Sequence, residues 1–241
     1  MESQPLALVT GGAHRLGKAF ATVLARNGYA ILLHFRSSDE EARAAANEIH
    51  ALGLPVYLSQ ADLKQPGQVA ELFAAVDRSG HPLRVLVNSA AILPGGDART
   101  LSADDWDAVM DLNLRAPFLC AQEAASRMTD GGLIVNITDV GARKSWSRFP
   151  SYSVSKAGLE SLTRILARSL APGIRVNAIA PGLVLPPDDM PKDEWDRLVS
   201  RLPLKRPATA DEIASALEFL LKNEYITGQT LVIDGGYSLL G

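Results

Sequence analysis

Short uninterrupted apolar runs alternate along this chain with stretches in which apolar residues recur every three or four positions. Leu6-Ala7-Leu8-Val9 reads as a buried strand, followed by a helix from Gly17 to Arg26 closed by Gly28. Ala30 to Phe35 is a second strand, and Asp39 to Leu52 a helix with Gly53 after it. Val56 to Ser59 is a third strand, and Pro66 to Arg78 a helix with proline in its first turn. Arg84-Val85-Leu86-Val87 is a fourth strand, then a long helical stretch runs from Ala103 to Met128. A strand at Leu133 to Thr138, a helix over 151–171 and a strand over 174–179 follow. A helix over 210–222 and a last strand from Thr230 to Ile233 complete the pattern.

Seven strands alternating with helices predict an α/β, doubly wound Rossmann-type fold. Its seven-stranded, mostly parallel sheet would carry helices on both faces. Strands that are apolar throughout agree, because such strands are buried on both sides. No repeat or low-complexity linker divides residues 1–241, so one domain is expected. Residues 183–209 carry Pro186, Pro187, Pro191, Pro203 and Pro207 and read as an irregular insertion. That segment is either a surface excursion or a flap over a site at the carboxyl ends of the strands.

Composition adds mainly exclusions. With 47% hydrophobic and 21% charged residues, the 241-residue chain is ordinary for a globular protein. A net charge of −3 gives no field to gather nucleic acid or anionic membrane, so neither is an expected partner. The single cysteine, Cys120, fits a reducing compartment. No secretory leader precedes Leu6 and no apolar run is long enough for a bilayer, so a cytoplasmic location is expected. His14, His34, His50 and His81 show no metal-ligand spacing, and no metal is assigned.

Chemistry first shows after the first strand, where Thr10-Gly11-Gly12-Ala13-His14-Arg15-Leu16-Gly17 opens directly into a helix. Glycines let backbone amides approach a pyrophosphate, and the helix N-terminus adds partial positive charge. The turn departs from a plain G-x-G-x-x-G, since Arg15 stands where a small residue is expected. Gly11, Arg15, Leu16 and Gly17 are its candidate cofactor contacts. The second strand ends Leu33-His34-Phe35-Arg36-Ser37-Ser38, with no carboxylate to bind a ribose 2′-hydroxyl. Arg36 is either a solvated loop residue or a partner for a 2′-phosphate, with Ser37 and Arg15 beside it. NADP(H) is therefore the expected cofactor.

The middle of the chain supplies Asp139, Tyr152 and Lys156. Tyr152 and Lys156 are four residues apart and share one helix face, and an ammonium beside a phenol is expected to lower its pKa. Asp139 lies thirteen residues before Tyr152, at the end of the Leu133-Ile134-Val135-Asn136-Ile137 strand. Together with the glycine turn, Asp62-Leu63, Asn88-Ser89-Ala90-Ala91, Asn113, Pro181-Gly182 and Asp234-Gly235-Gly236, these residues resemble the short-chain dehydrogenase/reductase family over essentially the full chain. Thr-Gly-Gly-Ala-His-Arg-Leu-Gly at 10–17 and His-Phe-Arg-Ser at 34–37 resemble the pteridine reductase branch of that family. So do Asp-Asp-Met-Pro at 188–191, Tyr-Ile-Thr-Gly at 225–228 and Asp-Gly-Gly-Tyr-Ser-Leu at 234–239.

That resemblance implies roles. Tyr152 is the proton donor, Lys156 lowers its pKa and binds the nicotinamide ribose, and Asn113 holds a local helix distortion and a water of the proton relay. Asp139 takes the place where the broad family usually has a serine, as it does in the pteridine reductase branch. His34, Arg36 and Ser37 fall at the end of the second strand, and Asp62 and Leu63 flank the adenine. Asn88 and Ala90 lie along the cofactor, and Pro181 and Gly182 border the nicotinamide. Two departures stand out: Asn88-Ser89-Ala90 for the usual Asn-Asn-Ala, and Ile92-Leu93-Pro94 where pterin-binding relatives place a stacking phenylalanine. Trp146 and Phe149 either line the pocket instead or pack in the core; Trp106, Met110 and Phe118 either pack in the core or meet another subunit.

The resulting expectation is NADPH-dependent hydride transfer to a C=N bond of a pterin-like substrate, of dihydropteridine or dihydrofolate type. A generic NADPH-dependent carbonyl reductase is the alternative, and a non-catalytic NADPH-binding sensor a third reading. The resemblance also implies a homotetramer that packs through the 103–128 and 151–171 helices.

Overall fold

A computed structural model of the protein describes residues 4–144, 146–187 and 190–240. Asp188 and Asp189 of the Asp-Asp-Met-Pro motif lie outside the described residues. Seven strands form one sheet in the order β3-β2-β1-β4-β5-β6-β7. They are β1 (Leu6–Thr10), β2 (Ala30–Phe35), β3 (Val56–Gln60), β4 (Leu83–Asn88), β5 (Gly132–Ile137), β6 (Ile174–Pro181) and β7 (Thr230–Ile233). All six neighbouring pairs are parallel.

Alternation within the apolar strands builds two cores. Leu6, Leu8, Leu86, Ile134 and Val176 point to one face, while Ala7, Val9, Val85, Val87 and Val135 point to the other. The first face is covered by α3 (Pro66–Ser79), α5 (Ala116–Ala125) and α6 (Pro150–Leu170), through residues such as Phe73, Cys120 and Leu166. The second is covered by α1 (Arg15–Arg26), α2 (Asp39–His50) and α8 (Ala210–Lys222), through Phe20, Ile49 and Leu217. The order in which the chain adds strands reverses at β1 and β4: β2 and β3 extend the sheet to one side, and β4 to β7 to the other. The crevice outside the carboxyl ends of β1 and β4 is where such sheets bind ligands.

The long helical stretch after β4 is α4 (Ala103–Met110) joined to α5 by a π-turn at Asp111–Arg115, a local helix distortion at Asn113 such as the resemblance implies. One element differs from the sequence expectation. The proline-rich segment contains a helix, α7 (Lys192–Arg201). Its prolines flank the helix rather than interrupt it, and Trp195, Leu198 and Val199 repeat at helical spacing. No α7 residue is buried, so its apolar signal is weak. No helix among the described residues is long and apolar enough to cross a membrane.

Candidate active site

The phosphate turn is shaped by close backbone approach. Gly11 has φ +64°, and a Cβ there would lie 3.0 Å from Ala90 Cα on the neighbouring loop. A Cβ on Gly17 would overlap the Gly11 carbonyl. Thr10, polar at the end of an apolar strand, accepts from the Ser89 and Ala90 amides at 3.0 and 3.1 Å and so fixes the β4 loop beside the turn. His34, buried, accepts the Gly11 amide on Nδ1 at 3.1 Å and contacts the Ala61 carbonyl through Nε2 at 2.9 Å. With Nδ1 accepting, Nε2 carries the proton and donates. Burial pulls its pKa down to about 4, so it is neutral near pH 7. One imidazole thus joins the ends of three strand–helix loops.

Asp139, extended at φ −165°, follows β5 and caps a short 3₁₀ turn over Val140–Ala142. Its Oδ1 accepts the Gly141 amide at 2.6 Å and its Oδ2 accepts the Tyr152 hydroxyl at 3.0 Å. Tyr152 and Lys156 lie on the first turns of α6, whose Pro150 occupies a position without need of an N–H. Lys156 Nζ donates to the Ile137 carbonyl at 2.8 Å and sits 5.6 Å from the Tyr152 ring centroid. Asn113, fully buried, holds the Ile92 peptide from both sides, accepting its N–H at 3.0 Å and donating to its C=O at 2.9 Å. It also donates to Ser155 at 3.2 Å, so the π-turn is pinned to both the β4 loop and α6.

The electrostatics reverse one expectation. Burial first, then the neighbouring Asp139, hold the Tyr152 phenol well above its ordinary pKa of 10.0. The lysine does not bring it toward neutrality, because the carboxylate is in direct contact while the ammonium faces the Ile137 carbonyl. Lys156 is itself lowered by burial to about 8, against an opposing pull from Asp139. The Asp139 carboxyl is raised by burial, although the Gly141 amide, Lys156 and Tyr152 all favour its ionised form.

A cleft of about 490 Å³ joins these features, within the usual range for cofactor and small-molecule sites. Gly11, Arg15, Leu16, Gly17, His34, Arg36, Ser37, Asp62, Leu63, Ala90, Lys156, Pro181 and Gly182 all line it, with Asp139 and Tyr152. Two predicted residues do not. Asn88 is buried in the sheet with its amide on Asn136 at 2.9 Å, and Ser89 takes its place on the wall. Asn113 acts from behind the wall through Ile92 and Ser155. Arg15, expected beside a 2′-phosphate, lines the cleft and donates to the Leu185 and Pro186 carbonyls, both at 3.0 Å. Trp146 and Phe149 are not in this lining; Trp146 packs on Gly141 and between Phe149 and Tyr237, at centroid distances of 6.2 and 6.1 Å.

Sequence reasoning missed Thr10 and Ser155, while Val184, Leu185 and Pro187, from the segment read as either an excursion or a flap, line the cleft beyond β6. Only Thr10 had a local signal, a hydroxyl closing an apolar strand. A dinucleotide fits the donor set: a glycine cradle without room for side chains, a helix N-terminus and an arginine–serine pair at one rim. Among the described residues no cluster of His, Cys, Asp and Glu could hold a metal ion.

Residues 11–238 match the family model described as enoyl-(acyl carrier protein) reductase. The chain belongs to the short-chain dehydrogenase/reductase family, whose members bind NAD(P). It is 34% identical to the uncharacterized oxidoreductase YgfF of Escherichia coli, over 96% of this chain and 99% of that protein. It is 34% identical to the 3-oxoacyl-[acyl-carrier-protein] reductase FabG of Staphylococcus epidermidis, over 95% and 97%. Among solved structures it superposes on FolM alternative dihydrofolate reductase 1 from Brucella suis, in complex with NADP, with a TM-score of 0.94. That match has 37% identity and covers 100% of this chain and 98% of the other.

Proposed function

We propose that this short-chain dehydrogenase/reductase is an NADPH-dependent reductase acting on a C=N bond of a pterin-like substrate, of dihydropteridine or dihydrofolate type. The observation that carries the reading is the Asp139 carboxylate accepting the Tyr152 hydroxyl at 3.0 Å on the wall of the cleft. A carboxylate there attracts N–H donors of an aminopyrimidine edge and opposes an oxygen that gains negative charge. The likeness to the Brucella FolM protein supports the same substrate class.

NADPH, when bound, supplies the hydride. Gly11, Leu16 and Gly17 would hold its pyrophosphate, Arg36 and Ser37 its 2′-phosphate, Asp62 and Leu63 its adenine, and Lys156 the nicotinamide ribose. Tyr152 keeps its proton at neutral pH and gives it to the substrate nitrogen as the new C–H bond forms. Asp139 orients that hydroxyl and binds the substrate's donors. The 183–209 segment acts as a flap within one NADP-binding domain, since Val184, Leu185 and Pro187 already wall the cleft.

Carbonyl reduction is the second reading, favoured by the FabG relatives and by Leu93 where a stacking aromatic is absent. NADPH consumption by the wild type decides between them, with dihydropteridines, 3-oxo thioesters and simple ketones compared by kcat/KM. No turnover of any would leave a nucleotide-binding sensor. We also infer a cytoplasmic homotetramer, supported by exposed Phe118, Val154 and Ile165 on α5 and α6. Light scattering tests the assembly.

A further inference from the structure

Glu160 is a buried carboxylate that the chemistry above does not use. It lies on α6 four residues after Lys156, so the two share one face of the helix, and it is only 7% exposed. A carboxylate at that depth is costly unless it is paired. Its ion-pair partner among the described residues is the half-exposed Arg143, whose Nε donates to both carboxylate oxygens, at 3.2 and 3.3 Å. Arg143 closes the short turn that begins at Asp139. Its amide donates to the Val140 carbonyl at 3.0 Å, the Ala142 amide donates to the Asp139 carbonyl at 3.0 Å, and the Gly141 amide donates to Asp139 Oδ1. Residues 139–143 are therefore one hydrogen-bonded unit, joined to α6 at both ends: by Asp139 to Tyr152 and by Arg143 to Glu160.

We propose that Arg143 and Glu160 are positioning residues that hold the Asp139 carboxylate in register with the Tyr152 hydroxyl. One hydrogen bond at the reacting end leaves the turn free to pivot against the helix. A second, charged attachment at its far end fixes the direction of approach as well as the distance. Neither residue lines the cleft, so both act through Asp139 and not on a ligand. This role rests on the reading of the cleft as the reductase site.

The test uses the full-length protein with Arg143→Gln and with Arg143→Lys, which keeps a charged donor. Arg143→Gln strands a buried carboxylate, so Glu160→Gln, which leaves no buried charge, is measured beside it. Amide exchange over 139–143 needs no substrate and is expected to quicken about tenfold in both glutamine variants, with partial recovery in Arg143→Lys. At saturating NADPH, kcat should fall about tenfold in the glutamine variants and recover in part in Arg143→Lys, while NADPH Kd, read by nucleotide fluorescence, stays within about threefold of wild type. Unchanged exchange, or faster exchange with kcat kept, would overturn the proposal. Equal losses in kcat and NADPH affinity would also overturn it, because the whole helix and its Lys156 would then have moved. If the wild type reduces ketones rather than dihydropteridines, kcat is measured with the ketone. The pterin reading would then fail while the role of the pair is still decided, and the exchange measurement decides whether the pair holds the turn even if no substrate is turned over.

Discussion

Replacing Asp139 by serine tests the substrate assignment at its one distinguishing residue. The Tyr152 hydroxyl lies 3.0 Å from Asp139 Oδ2, so an oxygen that accepts a hydrogen bond from Tyr152 comes close to the carboxylate. When hydride reaches a ketone carbon, that oxygen gains negative charge. At about 4 Å and an effective dielectric of about 20, the repulsion is about 4 kcal/mol, or about a thousandfold in rate. This is an upper limit, because the oxygen carries only part of a charge in the transition state. A dihydropteridine C=N puts no anion there, since its nitrogen receives a proton, and the ring's N–H donors gain from the carboxylate. Asp139→Ser is therefore expected to lose most dihydropteridine turnover and to gain on activated ketones. The assay is kcat/KM for both substrates in both proteins, at saturating NADPH. An unchanged dihydropteridine rate in Asp139→Ser, or a wild type that prefers ketones, refutes the reasoning.

Three further outcomes follow from named groups. Arg36→Asp should move cofactor preference toward NADH by about ten- to a hundredfold, the worth of about 1.5–3 kcal/mol for a charged phosphate contact; equal kcat/KM with both cofactors in the wild type would sink that assignment. Lys156, at about 8 in the folded protein, loses its charge as pH rises through that value, so NADPH affinity should weaken on the alkaline side, and Lys156→Arg should move the limb upward; a flat Kd from pH 7 to 9.5 contradicts this. His34 falls from 6.5 to about 4 on folding, so the unfolded chain takes up the proton first as pH drops, and about 3 kcal/mol of stability is lost between those values; urea unfolding of wild type and His34→Gln at pH 7 and 4 should show the difference, and parallel losses would refute it.

The sheet was legible because its strands are apolar on both faces, which only a parallel sheet between two helix layers explains. Gly11, Gly17, Asp139, Tyr152 and Lys156 were legible because their spacing relative to strand ends carries the geometry. Hidden were features that depend on contacts far apart in sequence. Nothing local says that Arg15 bonds to the Leu185 and Pro186 carbonyls, or that Asn88 faces Asn136. Helix α7 was obscured by flanking prolines and by a polar composition that leaves no residue buried. The sense of the Tyr152 shift was hidden because spacing shows that a lysine is near, but neither how deeply the phenol is buried nor which charge is in contact.

That shift bears on the direction of the chemistry. Burial works against the charged form of each of the three groups, raising Tyr152 and Asp139 and lowering Lys156, while the Gly141 amide, Lys156 and Tyr152 draw Asp139 back toward its carboxylate. A phenol held protonated is a poor base for starting an oxidation at neutral pH. It is a ready proton source once a substrate nitrogen becomes basic, as an imine nitrogen does when hydride adds to its carbon. Losing that proton beside an ionised Asp139 would leave two anions 3.0 Å apart, so the site needs compensation at that moment. The Lys156 ammonium and N–H donors on the substrate edge are the groups placed to give it. A ketone brings no such donors, whereas an aminopyrimidine ring brings several. On the proposed function, the same carboxylate that would penalise an alkoxide would also favour a hydrogen-bond-donating substrate, and both effects would act in favour of a nitrogen heterocycle.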